Sequence, residues 1–234
     1  MFAKLVISSA VAAALVFLPA AASFAQDDVV PADKEPRHVP KLVNDWVRLV
    51  DVEIPEGEQT LYHRHSLDYP YVLVTSVTLF NQIYGQEPKD VKMEAGFIGY
   101  YNAASKGAYT HRFINRGPGT FRAIGIELLK PADAGAAKPP LPALAGAETA
   151  LDNERVGAYR IRLVPGASTG PLRIPGPSIR VALGEGSILE SFAEGGESVS
   201  DLAPAQFRFR DNAITTTITN TGDQAVELVE FVLK

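Results

Sequence analysis

Apolar and polar residues alternate in short runs along most of this chain, and Gly or Pro punctuates most of the gaps between them. Residues 46–54 and 120–128 alternate in this way, and residues 69–79 are rich in aromatic and β-branched side chains. Residues 159–163 and 214–219 continue the pattern. Many short strands at close spacing predict an all-β fold, a sandwich or a barrel. Composition agrees, because 46% hydrophobic against 21% charged residues is the balance of a chain with a full core and not of a disordered or collagen-like one.

The runs fall into two blocks of similar length, 42–130 and 151–234, which echo each other. Ile54-Pro55-Glu56-Gly57 is answered by Val164-Pro165-Gly166, and Asn115-Arg116-Gly117 by Asn220-Thr221-Gly222. Each echo is followed by a last apolar strand, and the offsets of 109 and 105 residues differ little, so a tandem repeat of one domain is expected. Between the blocks, residues 131–150 contain 14 Ala, Pro or Gly in 20 and read as a linker. Ahead of them, residues 26–41 are polar and broken by Pro31, Pro36 and Pro40, which reads as an extended Pro-rich N-terminal arm. His38 in that arm is expected at the surface.

Residues 1–25 have one charge, Lys4, then an apolar stretch to Leu18, Pro19 and small residues up to Ala25. This is the build of a secretory signal peptide cut before Gln26. The apolar core of 14 residues falls short of the roughly 20 that span a bilayer, which argues against the other reading, an uncleaved anchor. The mature protein is therefore expected to be exported, periplasmic or extracellular, with no stable membrane anchor. The chain has no cysteine, which excludes disulfides, thiolate metal sites and a cysteine nucleophile. A net charge of −5 offers no basic excess for phosphates, so nucleic acid is not an expected partner.

Chemistry then falls to His, carboxylates, hydroxyls or a bound cofactor. Gly57 is followed at a fixed interval by His63-Arg64-His65, and on a strand the two imidazoles share a face while Tyr62 and Arg64 point away. His111 lies in a second strand-like run with Asn115 four residues on. Three neutral imidazoles on two strands can form one face of a metal's coordination shell; buried structural histidines are the competing reading.

These residues resemble the two motifs of the cupin superfamily: Gly57, His63 and His65 fall on the first, and Gly107, His111 and Asn115 on the second, with Gly107 one residue farther from its His than usual. The resemblance implies two tandem cupin-like jelly-roll barrels, the first holding one divalent metal ion (Fe, Mn, Ni, Cu or Zn) through His63, His65 and His111. The family's glutamate ligand is missing, since its positions hold Tyr69 and Pro70, with Asp68 one residue early. Asp68 and Tyr69 are the candidates for a fourth ligand, against the reading that both are rim residues. Tyr101, Tyr109, Arg122 and Gln82 are candidates for the pocket. In the second block the histidine positions become Leu172, Ile174 and Thr216, so that barrel is expected to be free of metal, packed with apolar side chains, and structural or dimer-forming, with an apolar ligand pocket as the alternative. Gly184-Glu185-Gly186 is read as a turn and not a phosphate cradle. The resemblance implies an enzyme of oxygenase- or isomerase-like chemistry on a small organic molecule; a non-catalytic ligand-binding, metal-binding or structural protein is the alternative.

Overall fold

The computed structural model describes residues 29–131 and 140–234, so the expected signal peptide lies outside the described residues, as does the middle of the expected linker. The first half runs β1 (Val29–Pro31), β2 (His38–Val43), β3 (Val47–Ile54), β4 (Tyr62–His65), β5 (Tyr69–Leu73), β6 (Val77–Ile83), β7 (Lys89–Met93), β8 (Ile98–Tyr101), β9 (Tyr109–Asn115) and β10 (Phe121–Leu128). These pair as two sheets, β1-β4-β9-β6-β7 and β2-β3-β10-β5-β8. The second half runs β11 (Glu148–Asp152), β12 (Val156–Leu163), β13 (Ser168–Ile174), β14 (Ser178–Ala182), β15 (Gly186–Phe192), β16 (Glu197–Leu202), β17 (Phe207–Arg210), β18 (Ile214–Asn220) and β19 (Val226–Leu233). Its sheets, β11-β12-β19-β14-β17 and β13-β18-β15-β16, repeat the order of the first barrel strand for strand, apart from β1.

The echoing Asn-x-Gly segments close both barrels by the same hydrogen bonds. Asn115 Nδ2 donates to the carbonyls of Ile54 and Gly119, both at 2.8 Å, while Asn115 Oδ1 accepts from Gly117 N at 2.9 Å. Asn220 does the same with Leu163, Gln224 and Gly222 at 2.9, 2.7 and 3.0 Å. A buried amide whose donors and acceptor are all used locks the turn between two strands, and its loss would leave backbone carbonyls unpaired.

Alternation along β3 divides its side chains between two cores. Val50, Val52 and Ile54 face the interior of the first barrel with Leu73, Leu79 and Phe121. Val47 and Leu49 face outward, where they meet Val156, Ala158, Ile179 and Phe231 of the second barrel. The barrels thus stand sheet to sheet over a shared apolar layer, in which each fully buried Val, Leu or Phe contributes about 1.5–3 kcal/mol. This explains why β10 and β19 are buried on both faces.

Two segments differ from the sequence expectation. The arm is part of the first barrel, because β1 runs parallel to β4 at its edge, β2 pairs with β3, and the Glu35 carboxylate between them accepts from Leu61 N at 2.9 Å. The end of the expected linker belongs to the second barrel, where Leu141, Leu144 and Ala147 pack on the core and Tyr159 Oη donates to the Pro142 carbonyl at 2.6 Å.

Candidate metal centre

The antiparallel pairing of β4 and β9 sets His63 opposite His111, and His65 lies two residues along β4 on the same face. All three are buried, and one ring nitrogen of each lies within 4.8 Å of the others. Ring centroids stand 4.9 Å apart for His63–His65, 4.5 Å for His63–His111 and 5.3 Å for His65–His111. Tyr62, on the other face of β4, is buried too, because Tyr84 and the Arg112 guanidinium cover it.

Outer hydrogen bonds orient two of these rings. His63 Nδ1–H donates to the Leu61 carbonyl and His111 Nδ1–H to Asn81 Oδ1, both at 2.9 Å, which leaves each Nε2 as a bare lone pair. His63 Nε2, His111 Nε2 and His65 Nδ1 are buried and have no hydrogen-bond partner. Three orphaned acceptors facing one another are costly in an apolar interior unless a cation joins them, so the residues present fit a divalent metal. Burial lowers the His63 pKa to about 4 and, with the neighbouring His63 and His38, the His65 pKa to about 2; His111 is pushed well down for the same reasons. The rings are therefore neutral at pH 7, the form that ligates metals.

The triad opens on a cavity of about 420 Å³. Tyr69, Tyr101 and Tyr109 line it, Tyr69 stacked on His65 at 4.4 Å and 22°. The Tyr109 hydroxyl accepts from Asn81 Nδ2 at 2.9 Å. Burial raises the Tyr69 phenol pKa, helped by Tyr71, Tyr109 and Tyr101, so the ring stays neutral.

Three expected site residues lie elsewhere. Asp68 faces away from the triad: its carboxylate accepts from Ala104 N at 2.9 Å and from Arg155 Nη1 of the second barrel at 3.2 Å, so it is an inter-barrel strut and not a ligand. Arg122 points outward and is held by Asp51 at 2.8 and 3.0 Å. Gln82 also points outward, where its Oε1 accepts from Arg112 Nε at 2.9 Å. In both cases the neighbour one residue away, Ala123 or Asn81, is the one that lines the cavity. His38 is not a surface residue. It is buried on β2, opposite Val52, with its ring 4.6 Å from that of His63.

A scan against protein-family models finds no match, and neither does a search of the curated proteins. Solved structures do match. A deletion mutant of Bacillus subtilis oxalate decarboxylase covers 82% of this chain and 69% of its own, at 10% identity and a TM-score of 0.56. AerE from Microcystis aeruginosa matches over 86% of this chain and 98% of its own, at 12% identity and a TM-score of 0.53. A point mutant of salicylate 1,2-dioxygenase from Pseudoaminobacter salicylatoxidans, in complex with gentisate, matches over 80% and 68%, at 11% identity and a TM-score of 0.53. The chain folds as a bicupin. At these identities the likeness concerns the fold alone.

The second barrel has Leu172 paired with Thr216 where the first has His63 paired with His111, and Ile174 stands in the place of His65. Its interior has the expected apolar core, with Leu172, Ile174 and Ile218 fully buried, but also a charged network that was not expected. Arg180, Glu190, Arg210 and Glu230 occupy the positions of Tyr71, Asn81, Tyr101 and Gly125. Glu190 accepts from Arg180 at 2.9 Å, Arg208 at 3.1 Å and Arg210 at 2.8 and 2.9 Å, and Glu230 accepts from Arg180 and Ser178, both at 2.7 Å. Burial opposes charge on Glu190, yet Arg180 and Arg210 together hold its carboxyl below the usual range. Salt bridges therefore stand at positions whose counterparts in the first barrel line the cavity.

Proposed function

We propose that this chain is an exported, metal-dependent cupin whose first barrel holds one divalent ion through His63, His65 and His111 and acts on a small, largely apolar organic molecule. The observation that carries the reading is the set of three buried, unpartnered imidazole nitrogens at the base of an aromatic cavity. When bound, such an ion supplies Lewis-acid polarisation of a substrate oxygen or, if redox-active, electron transfer, which leaves oxygenase-like and isomerase-like chemistry both open. The chain's own residues select what enters. Tyr69, Tyr71, Phe97 and Phe113 provide flat apolar walls that exclude water. The charged lining residues outside the histidines are Lys92 and Glu94, exposed and paired with each other at 2.5 Å. A neutral or aromatic molecule that meets the metal through an oxygen suits this lining better than a small dicarboxylate, which would need interior cations.

The lack of an unpaired carboxylate in the cavity favours a second reading, a non-catalytic carrier or sensor of the same kind of molecule. Metal analysis combined with a substrate screen, with and without chelator, separates the two. Chelator-sensitive turnover supports the enzyme, and a metal-loaded protein that binds aromatic compounds but converts none supports the carrier. A protein that takes up no divalent ion refutes both. Export is supported by the composition of residues 1–25, and mass spectrometry of the exported protein tests it; an intact leader would overturn it.

A further inference from the structure

The triad has a fourth imidazole beside it, supplied by a segment that has no counterpart in either histidine motif. His38 is opposite Val52 in the β2–β3 ladder, so it shares the inward face on which Val52 lines the cavity. Its Nδ1–H donates to the Ala32 carbonyl at 2.9 Å, in a buried bond of the same kind that His63 makes to Leu61. That bond fixes the tautomer and leaves Nε2 as an acceptor on a residue that lines the cavity. Ring centroids stand 4.6 Å from His63 and 5.7 Å from His65, close to the spacings within the triad itself. His38 lies outside the set whose nitrogens are all within 4.8 Å of one another, and its ring contacts are with His63 and His65 and not with His111.

The second barrel provides an internal comparison. Its strand pairing sets Glu148 opposite Arg160, as Val39 lies opposite Asp51, so Ala147 takes the place of His38. Where His63, His65 and His111 have given way to Leu172, Ile174 and Thr216, the His38 position has lost its imidazole as well. The other candidates for a fourth ligand are engaged, Asp68 with Arg155 and the Ala104 amide, and Tyr69 stacked flat on His65.

We infer that His38 is the fourth protein ligand of the divalent ion, approaching from the side of His63 and His65 away from His111 and making the site an all-imidazole one. This rests on the metal reading of the triad. A ligand set without a carboxylate leaves the full double positive charge of the ion facing the cavity, and it favours the borderline ions, copper above the rest, over manganese.

His38→Asn is the discriminating variant, because its side-chain amide can still donate to the Ala32 carbonyl while Nε2 is removed. With Cu(II) as the probe, chelator competition should show at least a ~10-fold loss of affinity in His38→Asn, given that even outer-shell changes cost about 10- to 100-fold. Its electron paramagnetic resonance should show one imidazole nitrogen fewer than the wild type, with the apo protein's melting curve unchanged. Unaltered affinity and nitrogen coupling would overturn the His38 assignment and leave the triad standing. Weaker binding with unchanged nitrogen coupling would also overturn it, since His38 would then only position its neighbours. If the variant fails to fold, the wild-type copper protein decides alone: electron–nuclear double resonance must detect four coordinated imidazoles, and three would sink the proposal. Failure of the underlying metal reading looks different, because His63→Ala/His65→Ala would then bind Cu(II) as the wild type does.

Discussion

Truncation of Glu190 to alanine should damage this protein more than most single changes, although the residue lies in the barrel that lacks the histidines. Its carboxylate accepts four hydrogen bonds from three arginines, and its side chain is 2% exposed. Without it, Arg180 and Arg210 share Glu230 alone, and the Arg180 side chain is only 6% exposed. Removing one partner from a buried ion pair costs about 3–5 kcal/mol, because the remaining charge is desolvated and uncompensated. In a protein of this size each kcal/mol lowers Tm by roughly 2–4 °C, so a drop on the order of 6–20 °C is expected. Thermal melts followed by circular dichroism and by calorimetry, at fixed pH and salt, measure it. The double variant Glu190→Ala/Arg210→Ala should recover part of the loss, since it removes a cation along with the anion. A Glu190→Ala melt within about 2 °C of the wild type would refute the reasoning and mean that water or local opening already satisfies the arginines.

Asn81→Ala should leave the fold intact but release the His111 ring from its acceptor, weakening divalent-metal affinity by about 10- to 100-fold in a chelator competition. The apo protein should lose stability as pH falls. The pKa values of His38 and His63 are lowered to about 3 and about 4, first by burial, so below about pH 6.5 the unfolded chain takes up protons that the folded one refuses. Each such imidazole accounts for up to ~2 kcal/mol by pH 5, and urea titrations at pH 7 and pH 5 should show the decline; equal stability would contradict neutral buried rings. Arg155→Ala should destabilise by about 3–5 kcal/mol through the stranded Asp68 carboxylate, which a chemical denaturation curve reads directly.

The all-β fold and its duplication were legible because strand alternation and the Asn-x-Gly echoes are local signals, and the barrel closures made by Asn115 and Asn220 are what those echoes encode. The His63–His65 pair was legible from spacing, since residues two apart on a strand share a face, and His111 was joined to it by the resemblance to the second cupin motif. His38 was hidden because three prolines disguised its strand; Pro40 is accommodated where the β2–β3 register shifts. Gln82 and Arg122 were each off by one residue, and in strands that is an error of face. The inward side chain of β6 is Asn81, in step with buried Leu79, and that of β10 is Ala123. The charged interior of the second barrel had no sequence signal, because Arg180, Glu190 and Glu230 are partners only after distant strands meet. Strands β10 and β19, closed on both faces, likewise depend on the docking of one barrel on the other.

Elemental analysis of the full-length mature protein, purified alongside His63→Ala/His65→Ala, tests the central claim most directly. The account predicts one divalent ion per chain in the wild type, lost in the double variant while the fold is retained. A metal-free wild type under metal-replete growth, or a double variant with undiminished metal, would contradict it.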